Sequence, residues 1–391
     1  MNRSPISFLF GSGLSRPAEY PSMSTITSRI ITGDSIHRNS VACYALGAPS
    51  PSEAYRTEEY IPKILFLLEK ISELVSEYYC DVERTVNYED LYYISSQIRD
   101  SKLFEYENPA IIPLNRLLTQ DLQSILGESE FNGREWTLKR LSSEASDYIV
   151  DIVWQMLKSP PKRTDYLTFL EDIVDDEQVG GIDIFTLNHD TLLELYFGLA
   201  DIPIADGFPD LINHVRYLDL NQFSLSSLKV KLYKLHGSIN WFTFDTGRVG
   251  IPESADIWHT RNPEGILQRP TEGRPMFLAG TVNKILNYSR PLYFDLHCFF
   301  RSRLSKSNNL VVVGYSFNDK AINTRIIDWL RVNNKNRMIV IHPRPDNCKD
   351  GARYAIRSMW DHWSRDKQLL ILQKSSDEIS YNDFKQFLTL K

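Results

Sequence analysis

Four apolar runs, far apart in this 391-residue chain, each stop at a small or polar cluster. Ile6–Phe10 stops at Gly11-Ser12-Gly13-Leu14-Ser15. Ile182–Leu187 stops at Asn188-His189-Asp190, Val230–Leu235 at His236-Gly237-Ser238, and Leu310–Tyr315 runs through Gly314 into Ser316-Phe317. Continuous apolar runs of this length read as strands buried on both faces, which is the habit of parallel sheets. Met338–His342 and Leu369–Leu372 are two more candidates. Helical stretches are expected at Ser22–Ile31, Asp190–Leu199, Leu292–Leu304, Lys320–Asn333 and Asn382–Leu388. The alternation predicts an α/β fold, Rossmann-like, with a mostly parallel doubly wound sheet. In such a sheet the turns at the carboxyl ends of the strands converge on one crevice.

Between the first and second of these strands the texture changes. Ile64, Leu67, Leu68, Ile71 and Leu74 recur at helical spacing, as do Leu114, Leu117, Leu118 and Leu122, and then Leu138, Leu141, Ala145, Ile149 and Ile152. Pro49, Pro51 and Gly180-Gly181 mark the borders. The expected organisation is one α/β domain made of residues 1–50 and 180–391, interrupted by a large helical insertion over 51–179. Residues 242–290, rich in Gly, Pro, Thr and Asn, read as a long irregular excursion.

The hydrophobic fraction of 42% suits a packed core. With 44 basic against 50 acidic residues and no long basic block, direct nucleic-acid binding is not expected. Cys43, Cys80, Cys298 and Cys348 never fall at a CxxC spacing, which disfavours a zinc ribbon or a disulfide framework. The residues from Met1 to Pro5 lack a charged region followed by a signal-length apolar stretch, and no run is long enough to span a bilayer. A cytoplasmic chain with no membrane association is the expectation.

Each strand-end cluster has two readings. Gly11, Gly13 and the hydroxyls of Ser12 and Ser15 suit a phosphate-binding turn, or simply a tight strand-to-helix turn. Asn188 and Asp190, two apart, can project into one crevice and bind hydroxyls or an amide; either is also good helix-capping chemistry. His236, beside Gly237, has an ordinary pKa suited to proton transfer at neutral pH, though a lone histidine is more often structural. Ser316 can reach ribose or phosphate, and Asp319 can cap the following helix or bind a hydroxyl. His342 ends a further strand where an adenine or ribose would lie. His37, His214, His259, His297 and His362 sit in no comparable context.

Taken in order, Gly11–Ser15, Thr186–Asp190, His236-Gly237 and Gly314–Ser316 resemble the motifs of the sirtuin (SIR2) superfamily. The stretch from Gly314 to Asn323 looks like the bacterial SIR2-like branch found in antiphage defence. The resemblance covers residues 1–40 and 180–345. Two departures stand out. Residues 239–297 contain no Cys, whereas deacetylating sirtuins carry a zinc module with paired CxxC motifs there. Leu187 stands where the usual residue before the Asn is Gln.

The resemblance implies an NAD+ site and cleavage of the nicotinamide–ribose bond. Asn188 and His236 would be catalytic. Gly11, Ser12, Gly13, Ser15, Asp190, Gly314, Ser316 and His342 would bind the nucleotide. The scattered cysteines, a departure from the family, predict no metal and no zinc. Without a peptide groove, water is the expected acceptor, giving nicotinamide and ADP-ribose in an NAD-depleting defence role. A sirtuin-like deacylase, an ADP-ribosyltransferase and a non-catalytic nucleotide-sensing module are the alternatives. The resemblance also implies a homo-oligomer restrained until a partner, such as a HerA-type ATPase, or a phage signal releases it.

Overall fold

Seven strands form a single parallel sheet: β1 Ser4–Phe10, β2 Val179–Thr186, β3 Ile204–Ala205, β4 Val230–Lys234, β5 Asn309–Val313, β6 Arg337–Ile341 and β7 Leu369–Leu372. The computed structural model describes residues 4–49, 56–80, 84–103, 108–129, 133–212, 214–225, 227–244, 247–253, 270–271, 273–281, 283–383 and 385. Sheet order is β7-β6-β5-β1-β2-β4-β3, with every neighbour parallel. The chain moves outward from β1 through β2 to β4, then returns to the other side of β1 at β5. The switch point of this doubly wound sheet therefore lies between β1 and β5.

Alternate strand residues feed two cores. Leu9, Phe185, Tyr233, Val312 and Val340 pack on one face with Leu296, Phe300, Ile322 and Ile326, from the helices Pro291–Leu304 and Lys320–Val332. Phe8, Phe10, Ile184, Leu232, Val311 and Ile339 pack on the other with Phe169, Ile173, Leu193 and Phe197, from the helices Phe169–Asp175 and Leu192–Leu199. Because both faces are covered, the strands read as unbroken apolar runs. Full burial of each such side chain contributes about 1.5–3 kcal/mol before entropy is subtracted.

The expected strands and helices are present with shifts of a few residues at their ends. The helix expected from Asp190 begins at Leu192, and the one expected from Ser22 begins at Met23 with Ser22 as its N-cap, the hydroxyl accepting from Thr25 N–H at 3.1 Å. The helix expected over Asn382–Leu388 falls largely outside the described residues. The stretch 242–290 is ordered where it is described. Phe242–Thr243 and Val249–Pro252 join Leu211–Ile212 and Val215–Tyr217 in a four-stranded antiparallel sheet. Strands this short are too brief to show a period of two, which is why the sequence reads as irregular.

The chain forms two compact units. One comprises Met1–Tyr20, Pro160–Leu278 and Ile285–Lys391, and holds the parallel sheet. The other comprises Pro21–Ser159 and Ala279–Lys284. Its helices are Met23–Thr32, Thr57–Tyr79, Tyr88–Leu103, Ile111–Asp121 and Leu138–Leu157. The main span of the helical unit runs from Pro21 to Ser159, whereas the sequence reading drew its borders at 51 and 179. The helix Met23–Thr32 belongs to it because Tyr148, on the helix Leu138–Leu157, donates its hydroxyl to Ile30 O at 3.0 Å. Polar pairs join the apolar contacts: Arg84 donates to both oxygens of buried Asp90, at 2.7 and 2.9 Å, and buried Asp151 accepts from Tyr44 N–H at 2.9 Å.

Candidate active site

The carboxyl ends of β1, β2, β4, β5 and β6 carry every residue the sequence singled out. At the β1/β5 switch point two turns interlock. Gly11 N–H donates to Val313 O and Gly13 N–H to Gly314 O, both at 3.0 Å. A Cβ on Gly13 would lie 2.5 Å from Gly314 Cα; one on Gly314, whose φ is +65°, would lie 2.4 Å from Leu14 N. Glycine is needed here so that two backbones can cross at contact distance. These two N–H groups are thus taken up by the end of β5 and the turn that follows it.

A second cluster sits between the ends of β1 and β2. Asn188 Nδ2 donates to Gly11 O at 3.1 Å and to Ser15 Oγ at 3.0 Å. Ser15 Oγ in turn donates to Asp190 Oδ2 at 2.8 Å. Asp190 Oδ1 accepts from Leu192 N–H at 3.1 Å, at the first residue of the helix Leu192–Leu199, whose N-cap position is Thr191. Burial pushes the Asp190 carboxyl above the usual range, while the Lys234 ammonium and the Ser15 hydroxyl pull the other way. Lys234 donates to the Asp190 carbonyl and, at 2.8 Å, to Glu194 Oε1. Both Asp190 oxygens are therefore engaged inside the protein. Its action here is to hold Ser15, which with Gly11 holds Asn188.

His236 lies at the end of β4, 3% exposed. Its main chain is clamped by the returning segment 276–278: Leu278 N–H donates to His236 O at 2.8 Å and Ser238 N–H to Met276 O at 3.0 Å. Gly237 has a φ of +77°, and a Cβ there would lie 2.3 Å from Met276 O. The imidazole Nε2 is 2.8 Å from the Tyr288 hydroxyl and 3.3 Å from Asp319 Oδ2. Tyr288 donates to Asp319 Oδ2 at 2.7 Å. Asp319 also caps the helix Lys320–Val332, its Oδ1 accepting from Ala321 N–H at 2.8 Å and Ile322 N–H at 3.0 Å. The capping reading of Asp319 applies, and its second oxygen is taken by the Tyr288 hydroxyl.

The two clusters meet at His189. Its ring centroid is 6.3 Å from that of His236, and its carbonyl accepts from Ile239 N–H at 3.0 Å and Ser238 Oγ at 3.3 Å. The remaining candidates stand apart from these contacts. Ser12 and Ser316 are exposed, and Ser316 Oγ accepts from Asn318 Nδ2 at 3.0 Å. His342 Nδ1 accepts from Arg344 N–H at 3.0 Å, and burial lowers the pKa of its ring.

Sequence reasoning missed Tyr288 and passed over His297. Tyr288 lies within the stretch read as irregular, with no motif beside it. His297 is 1% exposed. Its ring centroid lies 4.0 Å from that of Tyr288, the two planes tilted by 51°, and Arg325 Nε donates to its Nδ1 at 3.3 Å. Burial first, then the neighbouring His236 and Arg325, push its pKa down to about 3. The one signal available was spacing: His297 falls on the buried side of an amphipathic helix, where a polar residue needs a reason.

Among solved structures the chain is similar to a Sir2 protein in complex with the inhibitor EX-527, 2′-O-acetyl-ADP-ribose and a deacetylated p53 peptide. That match has 9% identity and a TM-score of 0.37, over 98% of this chain and 94% of that one. It is similar to Sir2Tm bound to a propionylated peptide at 9% identity and a TM-score of 0.35, over 98% and 93%. A Sir2–p53 peptide–NAD+ complex gives 10% identity and a TM-score of 0.35, over 98% and 93%. No curated protein matches the chain. Residues 183–366, which carry Asn188, His236, Tyr288, Gly314 and Asp319, match the family described as the SIR2-like domain.

Proposed function

We propose that this protein is an NAD+ glycohydrolase, cleaving the bond between nicotinamide and ribose with water as acceptor. The carrying observation is the oriented amide of Asn188. Its Nδ2 faces the Gly11 carbonyl, an acceptor only, at 3.1 Å, so Oδ1 is the end of the amide turned away from that contact. A neutral oxygen acceptor there can hold water or a ribose hydroxyl beside the anomeric carbon without trapping the cation that develops on it. In the reaction the C1′–N1 bond breaks with its electron pair going to nicotinamide. The water oxygen bonds to C1′, and its proton passes to the His236 imidazole. Ser15 and Asp190 act through Asn188 as positioning residues.

The match of residues 183–366 to the SIR2-like domain supports an NAD-using enzyme. The absence of Cys from residues 239–297 favours water over an acyl-lysine peptide as acceptor. Deacylation is the competing reading. The test is incubation of the purified protein with NAD+, following nicotinamide and ADP-ribose. Stoichiometric release of both without any protein acceptor is expected; nicotinamide release only when an acylated peptide is supplied would replace this reading with the deacylase.

An unrestrained NAD+ hydrolase would poison its own cell. We therefore propose a homo-oligomer of low basal activity, switched on in antiphage defence by a partner such as a HerA-type ATPase. Among the described residues no helix is long and apolar enough to cross a membrane. Tyr78, 79% exposed on the helix Thr57–Tyr79, is a candidate contact for that assembly. Light scattering beside NAD+ turnover tests this: a fully active monomer would overturn it.

A further inference from the structure

We propose that Tyr288 and Asp319 are positioning residues that hold His236 as its Nε2–H tautomer, so that the basic nitrogen of the neutral ring is Nδ1. The argument is one of proton counting. Asp319 accepts at both oxygens: Oδ1 from two helix N–H groups, Oδ2 from Tyr288 at 2.7 Å. A carboxylate that caps a helix start in this way is an acceptor throughout. Tyr288 has a single hydroxyl proton, and it points at Asp319. Toward His236, 2.8 Å away, the same oxygen can only accept. Nε2 must therefore carry hydrogen. The 3.3 Å separation of Nε2 from Asp319 Oδ2 agrees, since an N–H there faces a carboxylate while a lone pair would face it unfavourably.

The ring of Tyr288 is held for this task. It is 8% exposed and packs with Leu278, Tyr293 and Ala321, and the His297 ring lies 4.0 Å from it. Among the described residues, the charged and titratable groups found facing His236 include Tyr288, Asp319 at the start of the helix Lys320–Val332, His189 after β2, and His297 with Arg325 behind it. Of these, Asp319 is the one anion. When water or a ribose hydroxyl gives up its proton to Nδ1, the imidazolium that forms has Asp319 beside its other nitrogen. The carboxylate thus stabilises the charge that appears during the reaction and fixes which nitrogen receives it. The catalytic consequence rests on the hydrolase reading; the tautomer does not.

The test is long-range 1H–15N correlation of the imidazole rings in 15N-labelled full-length protein, with the His236 signals identified by their loss in His236→Gln. Wild-type protein is expected to show neutral His236 protonated at Nε2. Asp319→Asn, which keeps a capping side chain, should lower the His236 titration midpoint. Tyr288→Phe should redistribute the tautomers. In NAD+ turnover each variant should lose about ten-fold or more, with the double variant no worse than the poorer single one. A wild-type Nδ1–H tautomer, or His236 signals and midpoint unchanged in both variants, would overturn the proposal. An Nε2–H signal that responds to both substitutions, in a protein that never cleaves NAD+, would leave the positioning intact and remove the hydrolase reading instead.

Discussion

The side-chain amide of Asn188 and the carbonyl of Gly11, 177 residues apart in sequence, meet at 3.1 Å. That contact decides which way the amide faces. Carbonyl oxygen cannot donate, so Nδ2 must point at Gly11 and Oδ1 must point away. Ser15, itself anchored on Asp190, takes the second amide proton at 3.0 Å. The first strand turn therefore aims a side chain that belongs to the second.

Replacing Asn188 by Ala should cut NAD+ turnover by about 10²-fold or more, the scale on which misplacing a reacting group is felt. Nucleotide binding, measured calorimetrically, should persist. Ser15→Ala should weaken turnover less, because Gly11 O still holds one amide proton. If Ser15→Ala proves the more damaging of two folded variants, the assignment of Asn188 as the acting group fails.

His236→Ala should reduce turnover by about 10²–10⁴, as expected for loss of a positioned base. The fold should survive, because the β4 end is held by main-chain bonds from Met276 and Leu278 rather than by the imidazole. Near wild-type nicotinamide release from a folded variant would remove His236 from its role.

Glycine substitutions should divide by geometry. At Gly237 a Cβ meets Met276 O at 2.3 Å and φ is +77°; strain of about 1–3 kcal/mol is expected from the backbone alone. Gly237→Ala should therefore lower the melting temperature and displace His236. At Gly198, in the helix Leu192–Leu199, nothing lies within 4 Å. There Gly198→Ala should stabilise by about 0.5–1 kcal/mol. Thermal melts of the two variants check both signs.

His297 makes the fold acid-sensitive. Its pKa is pushed down to about 3 from an ordinary 6.5, chiefly by burial. The folded state then binds fewer protons than the unfolded chain between these values, so stability rises with pH across that window. The contribution is fully present above pH 6.5 and is lost as pH falls toward 3. Between pH 7.5 and 5 this one group costs about 2 kcal/mol. Urea melts of His297→Gln should show a pH 7.5-to-5 difference smaller by about that amount. An unchanged difference would contradict a neutral buried His297.

Prolonged chelation should leave melting temperature and turnover unchanged. The four cysteines are scattered, two of them exposed, and Cys348 Sγ donates to Tyr315 O at 3.9 Å. Structural zinc needs about four ligands at compatible spacing. One equivalent of zinc per chain by elemental analysis would refute this.

Much of this protein was determined locally. β1, β2, β4, β5, β6 and β7 are apolar runs bounded by turn residues, and those signals survive without any partner in view. Their order along the chain already put Gly11, Asn188, His236 and Gly314 at strand ends. Other features exist only once distant segments meet. The helix Tyr88–Leu103 buries Asp90, Ser95, Ser96, Gln97 and Asp100 beside Tyr88, Leu91 and Ile98, so its inner face mixes polar with apolar residues, and Asp90 is tolerated there because Arg84 pairs with it. The glycines of the first turn look like a phosphate cradle, yet what requires them is the Gly314 backbone, some 300 residues on. Tyr288 carries no sequence signal, since a tyrosine in an aperiodic stretch is defined only by what it touches. Local propensity and periodicity position strand ends; which hydroxyl faces which imidazole depends on side-chain packing between segments far apart, and that is settled by the tertiary fold alone.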